Sequence, residues 1–259
     1  MSLIQVTGAA KRYAVASGEV AALDPVSLTV NEGEFVSILG PSGCGKSTFM
    51  LMLAGLISRS AGTIEIDGVK VDRPYTDLGI VFQDHNLLEW RNVLSNVMLQ
   101  IEVRGRDPAQ YLPRAQDLLR MVGLDGAEAR LPHELSGGMR QRAAICRALI
   151  HEPRLLLMDE PFGALDALSR DQLNVDLQQM WLARPTTVIF ITHSISEAVF
   201  LSDRVIMMTP RPGKIAADIK IDLPRPRPMS VRETPAFGAY TKQIRGLFEE
   251  WGVLRRGAA

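Results

Sequence analysis

Two glycine-rich segments of this 259-residue chain are suited to binding phosphate. Residues 40–47 read Gly-Pro-Ser-Gly-Cys-Gly-Lys-Ser, which fits the phosphate-binding loop pattern at every defined position. Residues 135–142 read Leu-Ser-Gly-Gly-Met-Arg-Gln-Arg. There Ser136 can cap a helix whose first turn presents unpaired N–H groups to an anion. A single nucleotide site does not obviously require two such helix starts.

The first segment offers a triphosphate several backbone N–H groups, the positive end of a helix and the ammonium group of Lys46. Ser47 is placed to coordinate magnesium. We therefore predict that this loop binds nucleotide together with Mg²⁺. The residues expected to line it are Gly40, Pro41, Ser42, Gly43, Cys44, Gly45, Lys46, Ser47 and Thr48.

A pair of carboxylates, Asp159 and Glu160, follows the apolar run 155–158. Such a run is typical of a central parallel strand, and open α/β sheets bind ligands at the carboxyl ends of their strands. We expect Asp159 to hold Mg²⁺ and Glu160 to polarise the attacking water. Two solvated acids at a strand end are the alternative, which the phosphate-binding loop elsewhere in the chain makes less favoured.

Composition narrows the class of protein. Lys and Arg number 29 and Asp and Glu number 29, so the net charge is zero and the electropositive surface of a dedicated nucleic-acid binder is not expected. The longest apolar runs are far shorter than the ~20 residues that cross a bilayer, and the first residues do not resemble a secretion signal. We expect a cytoplasmic protein with reduced cysteines, of which Cys44 lies at a helix start that favours a thiolate.

The hydrophobic pattern predicts an α/β protein. Residues 3–39 alternate as several short strands, with turns at Gly18, at Asp24-Pro25 and at 31–33. Helical spacing dominates residues 87–150, where Pro113 is expected to kink a helix or to occupy its first turn. The remaining predicted elements are strands 35–39, 63–66, 79–82, 155–158 and 188–192, helices 47–56, 139–150, 166–182 and 237–254, and an extended Pro-rich connector marked by Pro224, Pro226, Pro228 and Pro235.

In its motifs and their order, the chain resembles the ATPase subunit of an ATP-binding cassette (ABC) transporter. The motifs are residues 40–48, 135–142, 155–161 and His193. The likeness extends over about residues 3–220, and the Leu-Ser-Gly-Gly signature is its most specific part. It implies a P-loop NTPase core with a parallel sheet, an antiparallel β subdomain and an α-helical subdomain. Residues 1–223 would form this ATPase domain, with helices inserted at about 87–150, and residues 224–259 would add a Pro-rich connector and a C-terminal helix.

The same resemblance implies roles for single residues. Tyr13 would stack on adenine, although an ordinary sheet aromatic is the alternative. Gln83 would sense magnesium and the attacking water, and His193 would contact the terminal phosphate. Asp166 would lie in a loop that crosses a dimer interface, although it could equally cap a helix. Lys46, Gln83, Glu160 and His193 would then carry catalysis, with Ser47, Gln83 and Asp159 near the metal.

The resemblance also implies partners. Two copies of the chain would bind head to tail, so that Ser136, Gly137, Gly138 and Gln141 of one copy close on the ATP held by the other. Integral membrane permease subunits would hold this homodimer at the cytoplasmic face of the membrane, with a periplasmic or extracellular solute-binding protein acting indirectly. Nucleic acid is not an expected partner.

The segment that follows Gln83 contains Leu87, Leu88 and Trp90, which the resemblance implies receive a short helix of the permease. The alternative is that they pack in the core of the helical insert. The residues of several motifs resemble those of the nitrate, sulfonate and taurine importers. Glu89 differs, because that group is expected to have proline at this position. An importer of pyrimidine precursors or bicarbonate remains open.

Other functions with the same ATPase chemistry are a DNA-repair, chromosome or translation factor, a lipid or lipoprotein exporter, and a cell-division scaffold. The first class usually adds coiled coils, a second cassette or a basic surface, and none of these is evident in the sequence.

Overall fold

The first two strands are long and strongly irregular, and they begin a chain whose computed structural model describes residues 2–16 and 18–253. β1 is Ser2–Val15 and β2 is Gly18–Asn31, paired antiparallel. The predicted turn at Asp24-Pro25 is wrong, because both residues lie inside β2. Their place is a shift of register, where Lys11 pairs with Leu23 and Ala9 with Val26. Such an irregularity accommodates a proline, which has no N–H to donate.

Contacts divide the described residues into two units, the first from within 1–76 and 187–259 and the second from 77–186. In the first unit, β1 pairs with β2 and with β4 (Ala61–Ile66), and β4 pairs with β5 (Val69–Lys70), in an antiparallel sheet. The further elements of this unit are β3 Phe35–Leu39, α1 Lys46–Leu53, β8 Thr187–Thr192, α6 Ile195–Leu201, β9 Arg204–Met208, β10 Ile215–Lys220 and α7 Pro235–Glu250.

A second sheet of the first unit surrounds β3, which pairs in parallel with β8 and with β9. All five residues of β3 and all six of β8 are buried, as expected of central parallel strands. β10 continues the sheet antiparallel to β9. The predicted parallel core and the separate antiparallel β subdomain are therefore both confirmed.

The second unit contains a parallel strand pair, four α-helices and a short 3₁₀ helix, Pro132–Glu134. The elements are β6 Leu78–Val81, α2 Val93–Val103, α3 Pro108–Met121, α4 Gly137–Leu149, β7 Leu155–Asp159 and α5 Ala167–Ala183. β6 and β7 are in register from Leu78 with Leu155 to Val81 with Met158. Pro113 lies within α3, and Pro108 instead occupies the first turn, where a proline costs the helix no hydrogen bond.

The connector after Leu223 is less extended than predicted. Met229–Glu233 forms a 3₁₀ helix, and Pro235, expected in the connector, is the first residue of α7. Phe237, Ile244 and Phe248 are the buried residues of α7. Residue 254 and the residues after it, which the sequence places in the last helix and tail, lie outside the described residues. Among the described residues, no helix is long and apolar enough to cross a membrane.

Candidate functional site

The phosphate-binding loop joins the carboxyl end of β3 to the start of α1, as the sequence predicts. Gly43 and Gly45 have φ of 75° and 106°, a backbone region that L side chains rarely occupy. A Cβ at Gly45 would lie 2.7 Å from the carbonyl oxygen of Ala22, so close packing also requires glycine there. Around Gly43 a Cβ would meet nothing within 4 Å. The outer side of the loop is therefore open.

Lys46 and Ser47 stand at the beginning of α1 in different surroundings. The Nζ of Lys46 donates to the carbonyl oxygens of Gly40 at 2.9 Å and Pro41 at 3.0 Å, and its side chain is buried. Ser47 is exposed, with Ser42 on the same loop. The loop thus combines a cation bonded to its own backbone, an exposed hydroxyl and the positive end of a helix, which suits a polyphosphate.

Cys44 differs from its expected environment. Its side chain is 1% exposed, and its Sγ would lie 2.9 Å from a Cβ at Gly40. A reactive thiol is accessible to solvent, whereas the sulfur of Cys44 lies beneath the loop. Cys146 is also buried, and burial raises the pKa of its thiol to about 12.

His193 lies at the same sheet edge as this loop. Leu39 of β3 pairs with Thr192 of β8. Gly40 and His193 are the next residues of the two neighbouring strands, so they leave the sheet side by side. His193 is exposed, and Ser194 after it caps α6. The first unit therefore brings together two of the motifs that the sequence singles out.

Tyr13 lies in the antiparallel sheet, paired with Val20. Its side chain is 41% exposed, and the Nζ of Lys11 lies 5.0 Å from its ring centroid. An exposed ring is compatible with stacking on a base and also with an ordinary sheet aromatic. The role of Tyr13 stays a prediction.

The second unit gathers its polar residues at the carboxyl ends of β6 and β7. Gln83 lies two residues after β6, Asp159 ends β7, and Glu160 follows. A Cβ at Gly163 would lie 3.4 Å from the carbonyl oxygen of Glu160 and 3.8 Å from the Nε2 of Gln83. The three polar residues therefore share one edge of this strand pair.

Glu160 has φ of 44°, in the left-handed region that is strained for residues other than glycine. The N–H of Gly163 closes the turn by donating to the carbonyl oxygen of Glu160 at 3.1 Å. Strain of about 1–3 kcal/mol at such a residue is often found where a side chain has a chemical role. The observed backbone therefore agrees with a functional Glu160.

The signature segment forms the exposed N-terminus of α4. The Oγ of Ser136 accepts a hydrogen bond of 3.3 Å from the N–H of Met139, as the sequence predicts for a capping residue. A Cβ at Gly138 would lie 3.7 Å from Ser169 in the first turn of α5. The starts of α4 and α5 are thus neighbours.

Asp166 caps α5, with its Oδ1 accepting from the N–H of Ser169 at 3.0 Å. Hydrogen bonds from Ser169 lower the pKa of this exposed carboxyl group. Leu168, which the sequence analysis missed, is 83% exposed in the same turn. An apolar residue in a helix's first turn was its only sequence signal. Ser136, Asp166 and Leu168 together form an exposed face of the second unit.

Gln141 behaves differently from the rest of the signature. It is 4% exposed, and its Nε2 donates to the carbonyl oxygen of Phe82, 3.5 Å away, within its own chain. Its side chain contacts the residue that follows β6 instead of facing solvent.

In the segment after Gln83, some apolar residues are buried, as core packing predicts, and others are exposed, as a docking surface predicts. Leu87 is 6% exposed, as in the core interpretation, whereas Trp90 is 77% exposed, and Leu88 is intermediate. Asn96 of α2, also missed, is fully buried; its Oδ1 accepts from the N–H of Leu88 at 2.8 Å. Its Nδ2 lies 2.8–3.1 Å from the carbonyl oxygens of Leu88, Arg91 and Asn92. These bonds hold the loop that presents Trp90.

Comparison with known proteins decides the family. Residues 23–163, more than half of the chain, match the family model described as ABC transporter. The chain belongs to the ABC transporter family. An ABC transporter ATP-binding protein of Methanocaldococcus jannaschii is 43% identical over 247 residues, which are 95% of this chain and 91% of that protein.

Two further relatives have names that include a solute. The taurine import ATP-binding protein TauB of Rhizobium johnstonii is 43% identical and covers 99% of this chain and 100% of its own. The aliphatic sulfonates import ATP-binding protein SsuB of Bacillus cereus is 37% identical, with 97% and 98% covered.

A dimeric structure of a bacterial ABC transporter cassette superposes with a TM-score of 0.75 at 32% identity, covering 85% of this chain and 99% of that one. A second structure of that cassette, in a dimeric post-hydrolysis state bound to ADP and Pi, gives a TM-score of 0.74 at 30% identity. The ABC ATPase fold predicted from the sequence is confirmed. As an ATP-binding chain of this family, the protein binds and hydrolyses ATP.

Proposed function

We propose that this chain is the ATP-hydrolysing motor of an ABC importer for a small sulfonate, a class that includes taurine. The import proteins named above match 99% and 97% of the chain. The names of the relatives favour a sulfonate over nitrate, the other solute class whose importers the motifs resemble. The exposed Trp90 and the buried Asn96 that organises its loop support a docking surface for a membrane permease. That docking would hold the subunit at the cytoplasmic face of the membrane, with a solute-binding protein acting from the other side.

The loop 40–48 binds the phosphates in this proposal. Lys46 exchanges its bonds to the Gly40 and Pro41 carbonyls for bonds to phosphate oxygens, while the loop's N–H groups bind the remaining charge. Tyr13 provides an exposed ring for adenine.

Magnesium has a suitable but incomplete donor set in the chain. Among residues 2–16 and 18–253, no group of three or more His, Cys, Asp or Glu side chains could hold a metal ion. Mg²⁺ commonly binds through one or two carboxylates together with substrate phosphates. In the second unit, Asp159 and Gln83 offer oxygen donors at one strand edge, and in the first unit Ser47 offers a hydroxyl group beside the phosphate-binding loop. When bound, Mg²⁺ would neutralise charge on the phosphates.

For hydrolysis, Glu160 orients and polarises the attacking water, and His193 contacts the terminal phosphate. The position of His193 beside the carboxyl end of β3 supports its contact with the phosphate. The strained backbone of Glu160 supports its role in polarising the water. Gln83, at the edge that Glu160 and Asp159 share, responds to the water and metal.

ATP also joins two copies of the chain. The exposed Ser136 and Gly137 of one subunit, with the half-buried Gly138, bind the nucleotide of the other. Asp166 and Leu168 lie beside them on the surface that would be covered. In this proposal Gln141 supports the signature helix from within. Hydrolysis separates the subunits, because it removes the bridging phosphate, and the permease follows this opening and closing.

The observation that carries the proposal is the exposed, Ser136-capped start of α4 in a chain that already has a complete phosphate-binding loop. The test is Glu160→Gln, which keeps the size of the side chain and removes the base. We expect ATP binding to persist, hydrolysis to be lost, and gel filtration with ATP to show a stable dimer. A Glu160→Gln chain that binds ATP and stays monomeric contradicts the proposal.

A further inference from the structure

Helix α6 connects the site to the C-terminal segment of the chain. It has seven residues, Ile195–Leu201, and His193 lies between Thr192, which ends β8, and Ser194, which caps the helix. A helix this short has little stability of its own, so its position depends on what holds its ends. The structure shows a separate set of side-chain hydrogen bonds at each end.

At the N-terminal end, the buried carboxylate of Glu197 is part of a hydrogen-bond network with Thr192 and Ser194, the two neighbours of His193 in the chain. Glu197 is 5% exposed, and its Oε2 accepts from the Oγ1 of Thr192 at 2.5 Å. The same Thr192 oxygen accepts from the N–H of Ser194 at 3.0 Å, and the Oγ of Ser194 accepts from the N–H of Glu197 at 3.3 Å. These bonds fix the backbone immediately before and after His193.

At the C-terminal end, two arginines of the connector bind carbonyl groups that the helix cannot satisfy itself. The Nη1 of Arg227 lies 2.9 Å from the carbonyl oxygens of Val199 and Phe200, and the Nη2 of Arg225 donates to that of Leu201. The N–H of Ser202 donates to the carbonyl oxygen of Ala198. All four terminal carbonyls of α6 therefore have donors, and positive charge is favourable at this end of a helix.

Arg227 is 2% exposed, and it also bonds to the carbonyl oxygens of Leu223 and Ser202. Burial, with a smaller contribution from the positive charge of Arg225, lowers the pKa of Arg227 to about 10. An apolar side chain could fill the same space without the cost of burying a charge. The guanidinium is therefore explained by the carbonyls that it binds.

We propose that Glu197 and Arg227 are positioning residues for His193, holding the two ends of α6 so that the imidazole meets the terminal phosphate of ATP. This inference rests on the proposed contact between His193 and ATP. It gives the connector after Leu223, which has no place in the phosphate chemistry, a part in hydrolysis.

The test compares steady-state ATPase kinetics of Glu197→Ala, Thr192→Val and Arg227→Met in the full-length chain. Each is expected to lower kcat about ten- to hundredfold, because small displacements of a reacting group are costly, with KM within about twofold of the original. Glu197→Gln keeps an acceptor for Thr192 and is expected to restore most of kcat. Arg227→Lys keeps the charge but not the planar fork and should be intermediate.

Matched controls separate positioning from stability. Arg59 also donates to two backbone carbonyls, those of Gly62 and Val71, and lies outside α6. Arg59→Met is expected to lower Tm as Arg227→Met does while leaving kcat unchanged. Hydrogen exchange in peptides covering α6 should be faster in Arg227→Met and Glu197→Ala, and unchanged in Arg59→Met.

A double-mutant cycle with His193→Ala gives the decisive comparison. If Glu197 and Arg227 act through His193, then adding Glu197→Ala or Arg227→Met to His193→Ala leaves kcat at the His193→Ala value. A further fall in kcat overturns the inference, as does unchanged kcat in the folded single variants. If His193→Ala itself leaves kcat unchanged, the proposed role of His193 is wrong. Should Arg227→Met not fold, Glu197→Ala, Thr192→Val and Arg227→Lys make the same comparison.

Discussion

The ammonium group of Lys46 lies 2.9 Å from the carbonyl oxygen of Gly40, the residue that opens its own loop. A second bond of 3.0 Å joins it to the carbonyl oxygen of Pro41. The lysine is therefore held across the loop by neutral acceptors. Phosphate oxygens are stronger, charged acceptors, so nucleotide binding should replace these bonds.

Lys46→Ala tests this replacement. Because a hydrogen bond to a charged group contributes about 1.5–3 kcal/mol, we expect the Kd for ATP to rise about tenfold or more. Titration with a fluorescent ATP analogue measures it, and Lys70→Ala, at an exposed position of β5, is the matched control. An unchanged Kd in Lys46→Ala would show that the loop binds nucleotide without its lysine.

Fixed motifs made the local structure of the phosphate-binding loop and of the carboxylate turn predictable from the sequence. The loop at 40–48 and the carboxylates at 159 and 160 depend on local spacing, which a single sequence displays directly. The caps Ser136 and Asp166 were predictable for the same reason, since a capping side chain bonds to its own helix. For Asp166 the sequence left a cap and an interface role open, and the cap is observed.

Long-range packing was not predictable. Leu87 and Trp90 are three residues apart in one apolar segment, yet one is buried and the other exposed, because Asn96 of the following helix fixes the loop. Cys44 lies beneath its loop for a similar reason, since Gly40 leaves room for its sulfur. The arginines that cap α6 are more than twenty residues from it, and no local pattern announces such contacts.

The exposed Trp90 predicts a separation between hydrolysis and transport. Replacing Trp90 with Ala removes a large apolar anchor, so we expect solute uptake by the reconstituted permease complex to fall at least about tenfold. Basal ATPase activity of the isolated chain should be unchanged. Val103→Ala, at another exposed apolar residue of the same unit, is the control and should affect neither. Uptake that survives Trp90→Ala would remove this residue from the docking surface.

His151 predicts a dependence of stability on pH. It is 3% exposed, its Nε2 lies 3.1 Å from the carbonyl oxygen of Leu78, and burial lowers its pKa to about 4. In the unfolded chain a histidine has a pKa of about 6.5. Between pH 4 and 6.5, roughly, the unfolded chain therefore binds a proton at His151 that the folded chain does not bind. Stability should therefore fall as the pH falls from about 6.5 to 4.

The His151 contribution is measured from denaturant unfolding at several pH values. His151→Gln retains a donor for Leu78 and removes the titrating group, so its stability should vary less over this pH range. His133→Gln, at an exposed position, should keep the original dependence. Identical pH profiles for the original chain and His151→Gln would contradict the assignment.

The most direct test of the whole account is the ATPase activity of a mixture of Ser136→Arg and Lys46→Ala chains. Ser136→Arg alone should bind ATP, Lys46→Ala alone should bind it more weakly, and neither should hydrolyse it. A mixed dimer pairs the intact Lys46 of one subunit with the intact Ser136 of the other, and so has one complete site. Random pairing then predicts recovery of up to about one quarter of the original activity. A mixture no more active than its separate components would contradict ATP sites shared between two subunits.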